Sequence, residues 1–119
     1  MREITCSTIT DAIKKMCIEA ATILPQDVEK ALSQKHDEED SALAKKTLQV
    51  LMDNAKLAQE KQMPICQDTG MAFVYVTMGQ EVHITGGSLN EAIQEGVRQG
   101  YTEAPVYSSE TEQEQRLLQ

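Results

Sequence analysis

The sequence predicts an α+β fold: three amphipathic helices, then a β-hairpin or small sheet, and a further helix. Three observations carry this expectation. Apolar residues recur at the helical period of about 3.6 residues between Ile9 and Leu24, and again between Leu43 and Ala58. Met71 to Met78 is rich in β-branched and aromatic residues, as a strand requires. Ser88-Leu89-Asn90-Glu91 has the spelling of a helix start, a hydroxyl followed three residues later by a carboxylate.

At 119 residues the chain is read as one domain with its own core. After a short Glu3-Ile4-Thr5 segment, Ile9, Ala12, Ile13, Met16, Cys17, Ala20, Ile23 and Leu24 mark one face of the first helix. Ser7 or Thr8 can cap it, and Pro25 stops it. Cys17 lies at the edge of that face and reads as a small buried hydrophobe, whereas Cys6, ahead of the helix, is left undecided. A shorter second helix starts at Pro25 or Gln26 and turns Val28, Ala31 and Leu32 inward. The polar run Ser33 to Asp40 then reads as a solvated connection and not a metal site, because its single His and four carboxylates have no ligand spacing.

The third helix, about Ser41 to Lys61, carries an apolar stripe wide enough to predict burial against two neighbours. Asn54 falls inside that stripe. It either braces nearby loop backbone or occupies a tolerated edge position. Beyond residue 70, Met71–Met78 and Glu81–Thr85 read as two strands that pair back across Gly79-Gln80. His83 then points away from Val82 and Ile84, as a surface or second-face residue. In the last helix Gly96 and Gly100 lie at i and i+4 on the apolar face, although each costs about 1 kcal/mol relative to Ala. That predicts close approach of another backbone. From Tyr107 onward the composition turns to Ser, Glu, Gln and Thr, and residues 107–119 read as a polar tail apart from residues 1–106.

Between the third helix and the strands lies Met63-Pro64-Ile65-Cys66-Gln67-Asp68-Thr69-Gly70. Pro64 fixes its own φ and biases Met63 away from helix, and Gly70 frees the backbone at the other end. A thiol, an amide, a carboxylate and a hydroxyl are thus gathered in one shaped loop. Asp68-Thr69-Gly70 by itself is also a good turn.

Pro64-Ile65-Cys66-Gln67-Asp68-Thr69-Gly70 resembles the signature of the class I, iron-sulfur fumarases and the related tartrate dehydratases. The resemblance extends to Lys15-Met16-Cys17-Ile18-Glu19-Ala20, Leu24-Pro25, Asp53-Asn54-Ala55 and Val82-His83-Ile84 leading to Gly86-Gly87. It covers roughly residues 3 to 106 and is similar to the amino-terminal part of an alpha subunit or alpha region. It implies a hydro-lyase that adds water to fumarate, or removes it from malate or tartrate, at a 4Fe-4S cluster held by three cysteines. Cys66 would be the first of these ligands, Gln67 and Asp68 would contact the small dicarboxylate substrate, and Asp68 would donate or accept the proton. Thr69 is given the turn and no chemistry. The implied partners are the remaining alpha region and a beta subunit or region, in a homo- or hetero-oligomer. The family pattern continues to a Leu-Arg pair where this chain has Val106-Tyr107, and to two more cysteines that Cys6 and Cys17 do not replace. The expectation is therefore a truncated or frame-disrupted alpha region with little or no hydratase activity alone.

The formal charge of −8, with 19 acidic against 11 basic residues, repels phosphate backbones and anionic lipid, which excludes nucleic acid and membrane surfaces as partners. The first residues lack the apolar centre of a signal peptide, and three cysteines make no disulfide framework, so a soluble cytoplasmic protein is expected. Two alternatives come from other classes. One is a dimeric aspartic protease in which two Asp68-Thr69-Gly70 loops share a proton. The other is a non-catalytic partner domain that completes another polypeptide.

Overall fold

The computed structural model describes residues 1–66 and 71–103 of the chain. In chain order it holds β1 (Arg2–Thr5), α1 (Cys6–Thr22), α2 (Gln26–Glu38), α3 (Ala42–Lys61), β2 (Val82–Thr85) and α4 (Leu89–Glu103). The α+β class is the one the sequence predicts. The backbone divides into two compact units, Met1–Glu19 with Asp68–Gln119 and Ala20–Gln67. The predicted tail at 107–119 lies outside the described residues.

In the first unit β1 and β2 pair in parallel, in the register Arg2 with Val82 to Thr5 with Thr85. This corrects the predicted hairpin. Parallel neighbours need a long crossover and cannot be joined by a tight turn. The partner of β2 therefore comes from the amino terminus. Residues 71–79 enter no ladder among the described residues. His83 is exposed and lies beside the equally exposed Glu3, as the alternation requires.

Strand β1 runs straight into α1, whose cap is Thr5: the Thr8 N–H donates to Thr5 Oγ1 at 3.3 Å. The helix therefore starts two or three residues earlier than Ser7 or Thr8 would have placed it, with Cys6 as its first residue. Gly86 and Gly87, at φ 88° and 146°, turn the chain from β2 toward α4 in conformations that side chains rarely adopt. Cys6 packs on that turn, and its thiol donates to the Ser88 carbonyl at 3.7 Å. Ser88 then caps α4 through its Oγ, which accepts from the Glu91 N–H at 3.5 Å.

Helices α1 and α4 approach closely. Ile13, Ala92, Gly96 and Gly100 are buried there, and the Thr10 hydroxyl donates to the Ala92 carbonyl at 2.9 Å. A Cβ on Gly96 would lie 2.6 Å from Ile13 Cβ and 2.8 Å from the Thr10 carbonyl oxygen. One on Gly100 would lie 2.8 Å from Cys17 Cβ. The backbone approach expected at the two glycines is thus with α1. Cys17 is half-buried beneath Gly100, and burial pushes its thiol pKa up from the usual range. Lys14 and Glu103 form an ion pair between the same helices.

In the second unit α2 packs on α3. Helix α2 runs on to Glu38, through most of the run read as a connection. Asp27 and Glu29 at its start and Lys35 and His36 at its end complement the helix dipole. Gln34 and Lys35 reach Glu38 at 3.0 and 3.3 Å. Ser41 caps α3, accepting from the Ala44 N–H at 3.4 Å. The wide apolar stripe of α3 is covered only in part. Ala58 is buried and Ala44, Leu48 and Ala55 are half-buried, while Leu43, Val50, Leu51 and Leu57 are exposed.

Candidate functional site

The candidate site begins where α3 ends. Gln62 adopts the left-handed conformation at φ 54°, and the Met63 N–H closes the last turn on the Ala58 carbonyl at 2.9 Å. Pro64 cannot extend the helix. The chain leaves α3 as an irregular segment that leads to Cys66.

Ile65 is fixed on both of its backbone polar groups. Its N–H donates to the Ala21 carbonyl at 2.9 Å, and its carbonyl accepts from Asn54 Nδ2 at 2.7 Å. Ala21 stands in the last turn of α1, where carbonyls have no partner within the helix, so the loop supplies a donor that the helix end lacks. Asn54 therefore braces loop backbone, which resolves the two readings its sequence position left open. The role of Ala21 was not legible: a backbone acceptor at a helix end carries no side-chain signature.

One residue further on, Cys66 is exposed. It forms no disulfide, and neither do Cys6 and Cys17. Those two thiols belong to the packing of the first unit, Cys6 on the Gly86-Gly87 turn and Cys17 under Gly100. Gln67 and Asp68, the expected substrate contacts, lie with Thr69 and Gly70 outside the described residues. No group of three or more His, Cys, Asp or Glu side chains assembles to hold a metal among the described residues. Their donor set fits one ligand of a cluster, Cys66, and does not fit a whole cluster site.

The aspartic protease alternative has no support in this architecture. Such an enzyme needs a largely β fold, and the ladder among the described residues is a single strand pair beside four helices. None of the described helices is long and apolar enough to cross a membrane.

The sequence that folds in this way is similar to a class of hydro-lyases. The family model described as fumarate hydratase (fumerase) matches residues 10–116, and the chain belongs to that family. A Methanocaldococcus jannaschii protein provisionally named L(+)-tartrate dehydratase subunit alpha is 36% identical over 99 residues, which cover 82% of this chain and 35% of that protein. The L(+)-tartrate dehydratase alpha subunits of Escherichia coli K12 and Shigella sonnei are each 28% identical over 98 residues, covering 82% of this chain and 32% of theirs. The chain thus spans about a third of the length of these relatives.

Proposed function

We propose that this chain supplies one cluster cysteine and the substrate-contacting loop of an iron-sulfur hydro-lyase that reversibly hydrates fumarate to malate or dehydrates tartrate. One observation carries the reading: Cys66 is exposed and follows a residue held at both its N–H and its carbonyl, directly before Gln67 and Asp68. Bracing matters because a metal ligand must be presented in a fixed direction.

In this reading Cys66 is one of three thiolates on a 4Fe-4S cluster, which when bound supplies a Lewis acid for the departing oxygen. Gln67 binds a substrate oxygen through a neutral amide, adding no repulsion to a dianion. Asp68 donates or accepts the proton at the neighbouring carbon. The other two ligands come from polypeptide corresponding to the rest of the relatives' length, and a beta subunit completes a cytoplasmic oligomer.

The test is made in the complete enzyme that contains this segment. Cys66→Ser is expected to abolish the cluster's visible absorbance. Asp68→Asn is expected to keep that absorbance and lose turnover of fumarate, malate and tartrate alike. Full cluster occupancy in Cys66→Ser refutes the ligand role of Cys66.

A further inference from the structure

Asn54 lies near the centre of α3 and is exposed, a position where Ala, Lys or Glu would favour the helix more. Other polar side chains of α3 bond within their own helix. Gln49 reaches Asp53 at 2.8 Å, and the Thr47 hydroxyl donates to the Leu43 carbonyl at 3.1 Å. Asn54 instead crosses to the Ile65 carbonyl, eleven residues on, at 2.7 Å. An exposed hydrogen bond competes with water and adds little stability. Its effect here is therefore one of direction.

Ile65 joins two planar peptide units. Its N–H belongs to the first, which the Ala21 carbonyl holds at 2.9 Å. Its carbonyl belongs to the second, which also contains the Cys66 N–H and leads to the Cys66 Cα. The Ala21 bond alone leaves that second plane free to turn about the Ile65 Cα–C bond, and the Asn54 bond stops it. Only the Cys66 φ and χ1 then stand between a fixed plane and Sγ. Ile65 is half-buried and Cys66 exposed, so the anchored residue sits inside and the thiol outside.

We propose that Asn54 is the positioning residue of the Cys66 thiolate: it fixes the Ile65–Cys66 peptide plane and so sets the direction in which the thiolate meets a metal. The role needs an N–H donor. Asp has the same size, but its carboxylate only accepts, and it faces the Ile65 carbonyl oxygen without a bond. Gln keeps the donor, and the exposure of position 54 leaves room for its extra methylene. The consequence for metal binding rests on reading Cys66 as a cluster ligand, because groups that orient a ligand without touching the metal change metal affinity about 10–100-fold. The positioning itself is measurable without a cluster.

In the 119-residue chain, nitrogen relaxation reads the order parameter of the Cys66 amide. It is expected near about 0.85 in the wild type and in Asn54→Gln, and below about 0.6 in Asn54→Ala and Asn54→Asp. Helical circular dichroism stays unchanged in all of them. A role in helix stability alone gives a different order, with Ala the best of the replacements. In the complete enzyme that contains this segment, a chelator is expected to remove the cluster absorbance at least about tenfold faster from Asn54→Ala and Asn54→Asp. Asn54→Gln returns that rate toward the wild type, and the KM for fumarate is unchanged throughout.

A Cys66 amide that stays rigid in Asn54→Ala and Asn54→Asp overturns the proposal. So does an order in which Gln fares no better than Ala. Where Cys66→Ser removes the cluster, release from Asn54→Ala at the wild-type rate overturns it as well. The outcomes separate from the hydro-lyase reading: a loosened Cys66 amide beside a Cys66→Ser enzyme that keeps its cluster upholds the positioning and sinks that reading. A rigid Cys66 amide beside a Cys66→Ser enzyme that loses its cluster does the reverse.

Discussion

Asn54 donates its side-chain N–H to the carbonyl of Ile65 at 2.7 Å, reaching from the middle of α3 to the residue before Cys66. A polar side chain inside an apolar stripe is thereby used to hold the loop that carries Cys66. The N–H of Ile65 is held by the Ala21 carbonyl.

Asn54→Ala removes one tether while improving helix propensity. A net loss of less than about 0.5 kcal/mol is expected, from a hydrogen bond worth about 1 kcal/mol offset by the gain of Ala. The local effect is larger than the global one. The Ile65 amide, bonded to Ala21, should exchange faster in the variant, while amides at the centre of α4 keep their wild-type rates.

Gly96→Ala has opposing terms whose sizes decide the sign. The helix gains about 1 kcal/mol, but the new methyl meets the Thr10 carbonyl oxygen at 2.8 Å and Ile13 Cβ at 2.6 Å, and backbone cannot yield cheaply. Overpacking costs about 1–3 kcal/mol, and contacts this short put it at the upper end, so a net destabilisation of about 2 kcal/mol is expected by urea unfolding. Gln94→Ala, on the exposed side of α4, should leave the midpoint unchanged or slightly raised.

Glu95 is held at a pKa of about 2, first by its hydrogen bonds from the Arg98 guanidinium at 2.5 and 2.8 Å and then by Gln99. The folded value is depressed from 4.5, so the pair's contribution is present above the ordinary carboxylate range and disappears as pH falls through about 2. Both side chains are exposed, so the energy is small and screened by salt. Titration followed by carboxyl carbon shifts should give Glu95 a midpoint of about 2, and Arg98→Ala should return it toward 4.5.

The three cysteines differ in accessibility. Cys66 is exposed, whereas Cys17 is half-buried and its thiol is pushed up by burial, which lowers the thiolate fraction. Iodoacetamide at pH 8 is expected to label Cys66 at least about tenfold faster than Cys17. Equal labelling would show that the α1–α4 contact opens readily, and Gly100→Ala should then speed Cys17 further.

Local signals made much of this protein legible. The helical periods, Pro25, Ser41 and Ser88 mark the helices because period, stop and cap act within one turn. Gly96 and Gly100 announced a close contact because nothing else excuses glycine on an apolar helix face. The Pro-Ile-Cys-Gln-Asp-Thr-Gly loop gave the family for a similar reason, since a short run of rare neighbours is specific without any fold.

What the tertiary structure decided is every partner distant in sequence. The pairing of Arg2–Thr5 with Val82–Thr85 could not be read, because a strand's composition fits any edge and a nearby hairpin is the cheaper closure. Helix α2 outran its apolar period because side-chain pairs, dipole and packing on α3 sustain it. Ala21 joined the site through a carbonyl that every residue possesses. Sequence determined which segments are helical and which family the chain belongs to, because those signals are local; tertiary structure chose which backbone meets which, because such contacts depend on geometry that no single segment contains.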